Sequence, residues 1–327
     1  MRFAVTPDQA SLRAAVRDLL DAEATPEALR AAWDSDTGRV PGLWQRLADF
    51  GATGLTVAEE HGGLGLTAIE LAGVFAELGR HAAAEPLLGS YVAGDLLAGT
   101  ELGKDWLPQI ADGSAMVAVG APGAAFVADA QGADLVLLPA GDDMLALTVG
   151  DVAVTSEPGA DTGLRLATVV ANGGGTRLPA AAERARALGA FGTAAQLVGV
   201  ADGLLAQAVR HALVREQFGR PIGSFQAVKH GLADVYVAVA FARPVVLNAA
   251  YSLATDAATA ARDSSHAKCA AVRAARLATR TALQVHGAIG YTYEHDLHMW
   301  LKRAWTLTTL WGDDAHHRAR VANAVLP

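Results

Sequence analysis

Apolar positions recur at intervals of three and four from residue 6 to 110, the spacing of helices that bury one face. Thr6-Pro7-Asp8-Gln9 has the form of a helix start, with Thr6 as N-cap and Pro7 at the first helical position. Leu12, Val16, Leu19 and Leu20 follow on one face. Pro41 predicts a second helix carrying Leu43, Trp44, Leu47 and Phe50, and Ile69, Leu71, Val74, Phe75 and Leu78 predict another. The character changes near Gly113. Short β-like runs at 115–119, 134–138, 144–149 and 166–170 are separated by Gly, Pro and Asp, as strands joined by turns require. After Asn172-Gly173-Gly174-Gly175 the helical period returns over 180–214, 225–257, 260–287 and 294–323. Four long helices with short connections predict an antiparallel bundle. The predicted fold is mainly α with a small β insert: an N-terminal helical domain over 1–113, a reduced β domain over 114–179 and a four-helix bundle over 180–327.

Composition narrows the partners. Of 327 residues, 26 are Lys or Arg and 34 are Asp or Glu, a formal charge of −8, so no basic stripe exists to neutralise nucleic-acid phosphates. Hydrophobic residues make up 52% and charged residues 18%, a balance that builds a core rather than a disordered chain. The single cysteine, Cys269, excludes a disulfide framework within the chain and points to a reducing, cytosolic setting. The apolar runs are Ala-rich, interrupted by charge, and read as too short to span a bilayer; the polar, amphipathic start has no signal-peptide core.

Several segments can carry chemistry. Glu59-Glu60-His61-Gly62-Gly63-Leu64-Gly65-Leu66 is a glycine-rich loop without the GK[ST] or GxGxxG spacing of a phosphate cradle. Arg215-Glu216-Gln217-Phe218-Gly219-Arg220-Pro221-Ile222-Gly223-Ser224-Phe225-Gln226 joins two bundle helices. It reads equally as an ordinary helix connection or as a cation and an amide, Arg215 and Gln226, set beside an anionic cofactor. Gln284-Val285-His286-Gly287-Ala288-Ile289-Gly290-Tyr291 reads as a glycine-capped helix end whose small residues would also let a ligand approach the backbone. His295 and His298 share a helix face, but no pattern completes a zinc site and no metal is expected. Trp300, Trp305 and Trp311 read as core or interface packing, and Asp313-Asp314 as a solvated or helix-capping pair.

Taken together, three of these segments resemble the acyl-CoA dehydrogenase family, in the family's order and over nearly the whole chain. The loop from Glu59 to Gly65 is similar to "PEEYGGLG"; Arg215 to Gly219 followed by Gln226 matches R-x-x-F-G…Q; Gln284 to Tyr291 is similar to QxxGGxGY with Ala288 for the second glycine. The resemblance implies FAD at a subunit interface, with its ADP part held by the neighbouring bundle. Arg215 would then pair with the pyrophosphate, Phe218 and Gln226 would meet the adenosine portion, and the backbone of Gln284, Val285, His286, Gly287 and Ala288 would approach the pyrophosphate.

The departures bear on catalysis. The family abstracts an α-proton with the Glu of a "YEG" sequence, or with a carboxylate in the first bundle helix. Here the first position is Trp311, in Leu310-Trp311-Gly312-Asp313, and the second is Gly189. The family's "TEPGAGSD" segment is represented only by Ala118-Val119-Gly120-Ala121-Pro122-Gly123; Ser156-Glu157-Pro158-Gly159-Ala160-Asp161 comes too late in the chain and reads as an ordinary turn. The chain resembles the short, base-lacking subunits of actinobacterial α2β2 enzymes acting on bulky thioesters such as steroid side chains. The expectation is a subunit that completes the FAD site of a longer homologous partner, which supplies the carboxylate. Two other readings stay open: a self-sufficient enzyme with a base relocated to Asp313 or Asp314, Glu183 being more remote, and a flavin-free binding protein.

Overall fold

A computed structural model describes residues 5–326. Six helices come first: α1 (Pro7–Glu23), α2 (Pro26–Trp33), α3 (Leu43–Asp49), α4 (Ala68–Arg80), α5 (Leu87–Leu97) and α6 (Glu101–Ala111). Thr6 caps α1 as its sequence predicts, in a reciprocal box with Gln9. Thr25-Pro26 starts α2 with the same signature, which the apolar spacing had passed over because the helix is only 8 residues long. The helix expected at Pro41 begins at Leu43 instead, because Gly42 takes a left-handed φ of 78° and turns the chain into it.

Seven strands follow: β1 (Val117–Val119), β2 (Val127–Ala128), β3 (Leu135–Ala140), β4 (Asp143–Thr148), β5 (Val152–Glu157), β6 (Leu166–Ala171) and β7 (Thr176–Leu178). They form a four-stranded sheet in the order β1-β3-β4-β7 and a three-stranded sheet in the order β2-β6-β5. Only β1 and β3 run parallel, with Val117 opposite Leu135; the other pairs are antiparallel. Glu157 is the last residue of β5, so the segment read as an ordinary turn is part strand, and its Asp161 is buried.

The bundle consists of α7 (Ala182–Val214), α8 (Gln226–Ala254), α9 (Ala260–His286), α10 (Leu297–Thr309) and α11 (Asp314–Val325), with a two-stranded hairpin of β8 (Glu216–Gln217) and β9 (Arg220–Pro221) after α7. The stretch expected as one fourth helix is therefore broken at Leu310–Asp313. Central α7 is buried without interruption from Ala187 to Ala201. Its small residues admit α4: a Cβ at Gly199 would strike the Ala76 carbonyl, and one at Gly79 the Gln196 carbonyl. Helices α7 and α8 are each long and apolar enough to cross a membrane, contrary to the reading of the apolar runs. The apolar window of α7 is 89% buried in the fold and that of α8 only 39%, so α8 keeps an apolar face, with Tyr236, Val237 and Phe241, turned outward.

Buried charges tie the layers together. Arg13 and Arg17 of α1 grip the fully buried Glu77 of α4, at 2.6 and 2.7 Å. Arg303 of α10, 1% exposed, pairs with Asp161 between β5 and β6 and donates to the Ala83 carbonyl at 2.6 Å. It thereby joins the β region, the α4–α5 connection and the bundle. Removing one partner of such a pair leaves the other charge buried alone, a loss of roughly 3–5 kcal/mol. Arg303→Met is accordingly expected to lower unfolding stability by that amount in urea titration; a loss below about 1 kcal/mol would show that Asp161 does not depend on Arg303.

Candidate functional site

The two positions where the resemblance implies a catalytic carboxylate meet in space. Trp311 is buried, and its indole lies against Gly189 of α7: a Cβ at 189 would collide with the ring carbons Cδ2, Cε3 and Cε2. Any side chain at 189 would displace the indole, and neither residue can accept an α-proton. The chain breaks here because Leu310 leaves the helical conformation, Trp311 has φ 60° and Gly312 has φ 99°. A left-handed backbone at a tryptophan costs roughly 1–2 kcal/mol, so it must be held.

Lys268 of α9 holds it. The fully buried ammonium donates to Thr193 Oγ1 at 2.8 Å, the Leu307 carbonyl at 2.7 Å and the Leu310 carbonyl at 2.6 Å. Burial pushes its pKa down to about 7, but three acceptors match the three donors of the protonated form. The Thr193 hydroxyl lies 2.8 Å from the Gly189 carbonyl, so the clamp runs from α9 to the backbone beneath the indole. On the other side His317 is held neutral: burial, reinforced by Lys268, pushes it down to about 4. Its Nε2 donates to the Trp311 carbonyl at 2.9 Å and its Nδ1 accepts from Ser265 Oγ at 3.1 Å.

The remaining cavity beside the indole has a volume of about 50 Å³. A water takes about 30 Å³ and small-molecule sites about 300 Å³ or more, so neither an acyl chain nor a flavin ring fits. Glu85, Asp129, Thr193, Gln196 and Trp311 are among its lining residues. Both carboxylate oxygens of buried Glu85 lack a hydrogen-bond partner among the described residues, and burial pushes the group up to about 7. The other carboxylates near the expected base have structural partners. Asp313 caps α11 by accepting from the His316 amide at 2.8 Å; Asp314 pairs with Arg276 and Arg318 at 3.2 and 3.1 Å; Glu183 pairs with Arg186 and Arg320. None of the three lines the cavity.

The cofactor-type residues gather elsewhere, at one end of the bundle. Arg215 is the C-cap of α7, Phe218 sits at the hairpin tip and Gln226 opens α8. Gly231 of α8 faces Thr281 of α9, and this antiparallel register brings Gln226 to the end where α9 delivers Gln284. Arg215, Gln226, Gln284, Gly287 and Ala288 are exposed. Gly287 has φ 66° and open space where a Cβ would stand, which leaves its backbone approachable. Phe218 is 91% exposed with φ 54°, supported only edge-on by Phe225 at 6.0 Å, an arrangement that suits a covering partner. Val285 and His286 differ from their neighbours. Val285 is half-buried, and the His286 ring turns inward, where its Nδ1 donates to the Ala282 carbonyl at 2.8 Å.

Comparison with known proteins agrees with this fold. Residues 6–114 match the family model for the acyl-CoA dehydrogenase N-terminal domain and residues 180–326 that for the C-terminal domain. The chain belongs to the acyl-CoA dehydrogenase family, oxidoreductases that act on the CH–CH group of acyl-CoA thioesters. It is 37% identical over 296 residues to acyl-CoA dehydrogenase IpdE2 of Mycolicibacterium smegmatis, covering 90% of this chain and 91% of that protein. Among solved structures it is similar to the ChsE4–ChsE5 complex of Mycobacterium tuberculosis, with a TM-score of 0.89 at 26% identity over the full length of both chains. It is also similar to a variant of the Tcur3481–Tcur3483 steroid ACAD, with a TM-score of 0.89 at 25% identity and 98% of each chain covered.

Sequence reasoning missed Lys268, Glu85 and Asp161. A lone lysine in Ala-rich α9 and a lone glutamate in His81-Ala82-Ala83-Ala84-Glu85-Pro86-Leu87 were the available signals, since a charge within an apolar run is either exposed or needs a partner. Glu85 also sets a pH dependence. Its folded pKa lies above the unfolded value of about 4.3, so its contribution to stability is full below pH 4 and is lost as pH rises through about 7. Glu85→Gln is expected to raise the melting temperature at pH 8 by several degrees more than at pH 5. An equal change at both pH values would show that the carboxyl is ionised throughout.

Proposed function

We propose that this chain is the half-site subunit of a hetero-oligomeric acyl-CoA dehydrogenase of α2β2 type. The observation that carries the proposal is Trp311 lying on Gly189, which fills the base position and closes the acyl cavity while the cofactor-type end of the bundle stays open. FAD supplies the hydride acceptor of the family's reaction. This chain's part is to hold the ADP portion of a partner's FAD: Arg215 at the pyrophosphate, Phe218 and Gln226 at the adenosine, and the backbone of Gln284 to Ala288 beside the pyrophosphate. The exposed cation, the open Gly287 backbone and the unsupported Phe218 ring fit that task. A longer homologue brings the carboxylate, the flavin ring pocket and the acyl site.

The outward apolar face of α8, with Tyr236, Val237 and Phe241 exposed together, supports a protein partner, because contiguous apolar patches mark interaction sites. The similarity to the ChsE4–ChsE5 complex and to the Tcur3481–Tcur3483 steroid ACAD supports a heteromer acting on a bulky acyl-CoA such as a steroid side chain. A cytoplasmic location follows from that chemistry.

Flavin content per chain and native mass, measured for the chain alone and for the chain produced with a longer homologous acyl-CoA dehydrogenase subunit, test the proposal. The expected result is a colourless chain alone and one FAD per heterodimer in the complex. Arg215→Ala with Gln226→Ala in the complex is expected to lower FAD content at least roughly tenfold. Stoichiometric FAD and turnover from this chain alone would overturn the reading.

A further inference from the structure

A second cleft, of about 550 Å³, opens where the last turn of α7 and the end of α9 face the α1–α2 connection. Neither Arg215, Gln226 nor Trp311 lines it. Three histidines from separate elements converge in it: His211 of α7, His286 at the end of α9 and His295 just before α10. The His211 and His286 rings stack with centroids 4.3 Å apart, and His295 stands edge-on to His286 at 4.8 Å. One ring nitrogen from each lies within 4.8 Å of the other two, yet no hydrogen bond joins the rings.

The geometry of the three rings leaves room for a ligand between them. His286 is buried, and its Nδ1–H is committed to the Ala282 carbonyl, which fixes the tautomer and leaves the Nε2 lone pair free. A backbone acceptor on the far nitrogen is the usual support of a metal-binding histidine. His81, on the same cleft, shows the contrast: both its nitrogens are engaged, by the Glu77 carbonyl and by Asp21.

We propose that His211, His286 and His295 form a site for one borderline divalent cation of the zinc class, with a fourth position open to the cleft. Zinc–nitrogen bonds of about 2.0–2.1 Å require the three nitrogens to draw together. The His295 ring supplies that movement, since it lies on the connection between α9 and α10. Its Nδ1 accepts the Leu297 amide at 3.1 Å, and exchanging that amide for the metal is the local cost of binding. An all-imidazole set selects zinc-class ions over magnesium or calcium, which take oxygen ligands. A bound ion would fasten the 287–296 connection to α7. The site stands independently of whether this chain also serves a partner's flavin.

The test uses the full chain, free of any histidine tag, stripped with chelator and titrated with Zn²⁺ by calorimetry and with Co²⁺ by visible absorption. The expected result is one equivalent per chain, with the strong visible bands of four-coordinate cobalt. His295→Ala and His211→Ala should each weaken Zn²⁺ at least roughly tenfold, and they should abolish the rise in melting temperature that Zn²⁺ gives the unsubstituted chain. No stoichiometric uptake by the unsubstituted chain overturns the proposal. So does uptake that both variants retain, because the ion would then rest on other histidines.

Discussion

The ammonium of Lys268, buried among the Thr193 hydroxyl and the Leu307 and Leu310 carbonyls, is the contact on which the centre of this molecule depends. It satisfies the carbonyls that the end of α10 would otherwise leave buried without donors. It also fixes the turn that presents Trp311 to Gly189. Without a cation at that point two buried carbonyls would be orphaned, and the left-handed backbone of Trp311 would lack its support. The indole packed on Gly189 and the break between α10 and α11 both rest on this one arrangement.

Such a centre separates two tasks that one family fold can combine. The interior, where a thioester and a carboxylate would have to meet, is occupied by an indole. The exterior end of the bundle keeps an exposed arginine, a projecting phenylalanine, two glutamines and an approachable glycine backbone. Selection for packing alone explains the first but leaves the second without a purpose. Phe218, 91% exposed with a left-handed backbone, meets only the edge of the Phe225 ring. Its position makes sense when a second surface covers it, as does the apolar face of α8.

Much of this was legible in the sequence where local pattern and tertiary context agree. Helices α7, α8 and α9 are long enough for the 3.6-residue period to speak clearly, and Thr6-Pro7 carries its own capping chemistry. The resemblance singles out Trp311 and Gly189, but their mutual contact was not legible, since it joins the α10–α11 connection to the middle of α7. The break at Leu310–Asp313 was hidden because Leu307, Leu310 and Trp311 continue an apolar rhythm while the backbone turns. Strand β5 was missed because Val152–Glu157 alternates with small and polar residues on a half-exposed face. Asp161 read as a turn residue because its partner Arg303 lies in another domain's helix. His211, His286 and His295 were equally dispersed: only the folded bundle brings them to one cleft.

The role proposed for this chain is to contribute surface to a partner's flavin site without a reaction centre of its own. The most direct measurement is an anaerobic titration of the assembled enzyme with its acyl-CoA substrate, counting the flavins bleached per pair of unlike chains. One flavin reduced per pair is predicted, with none assignable to this chain's own cavity. Two flavins reduced per pair would contradict the account, because the space beside Trp311 would then have to open to a thioester.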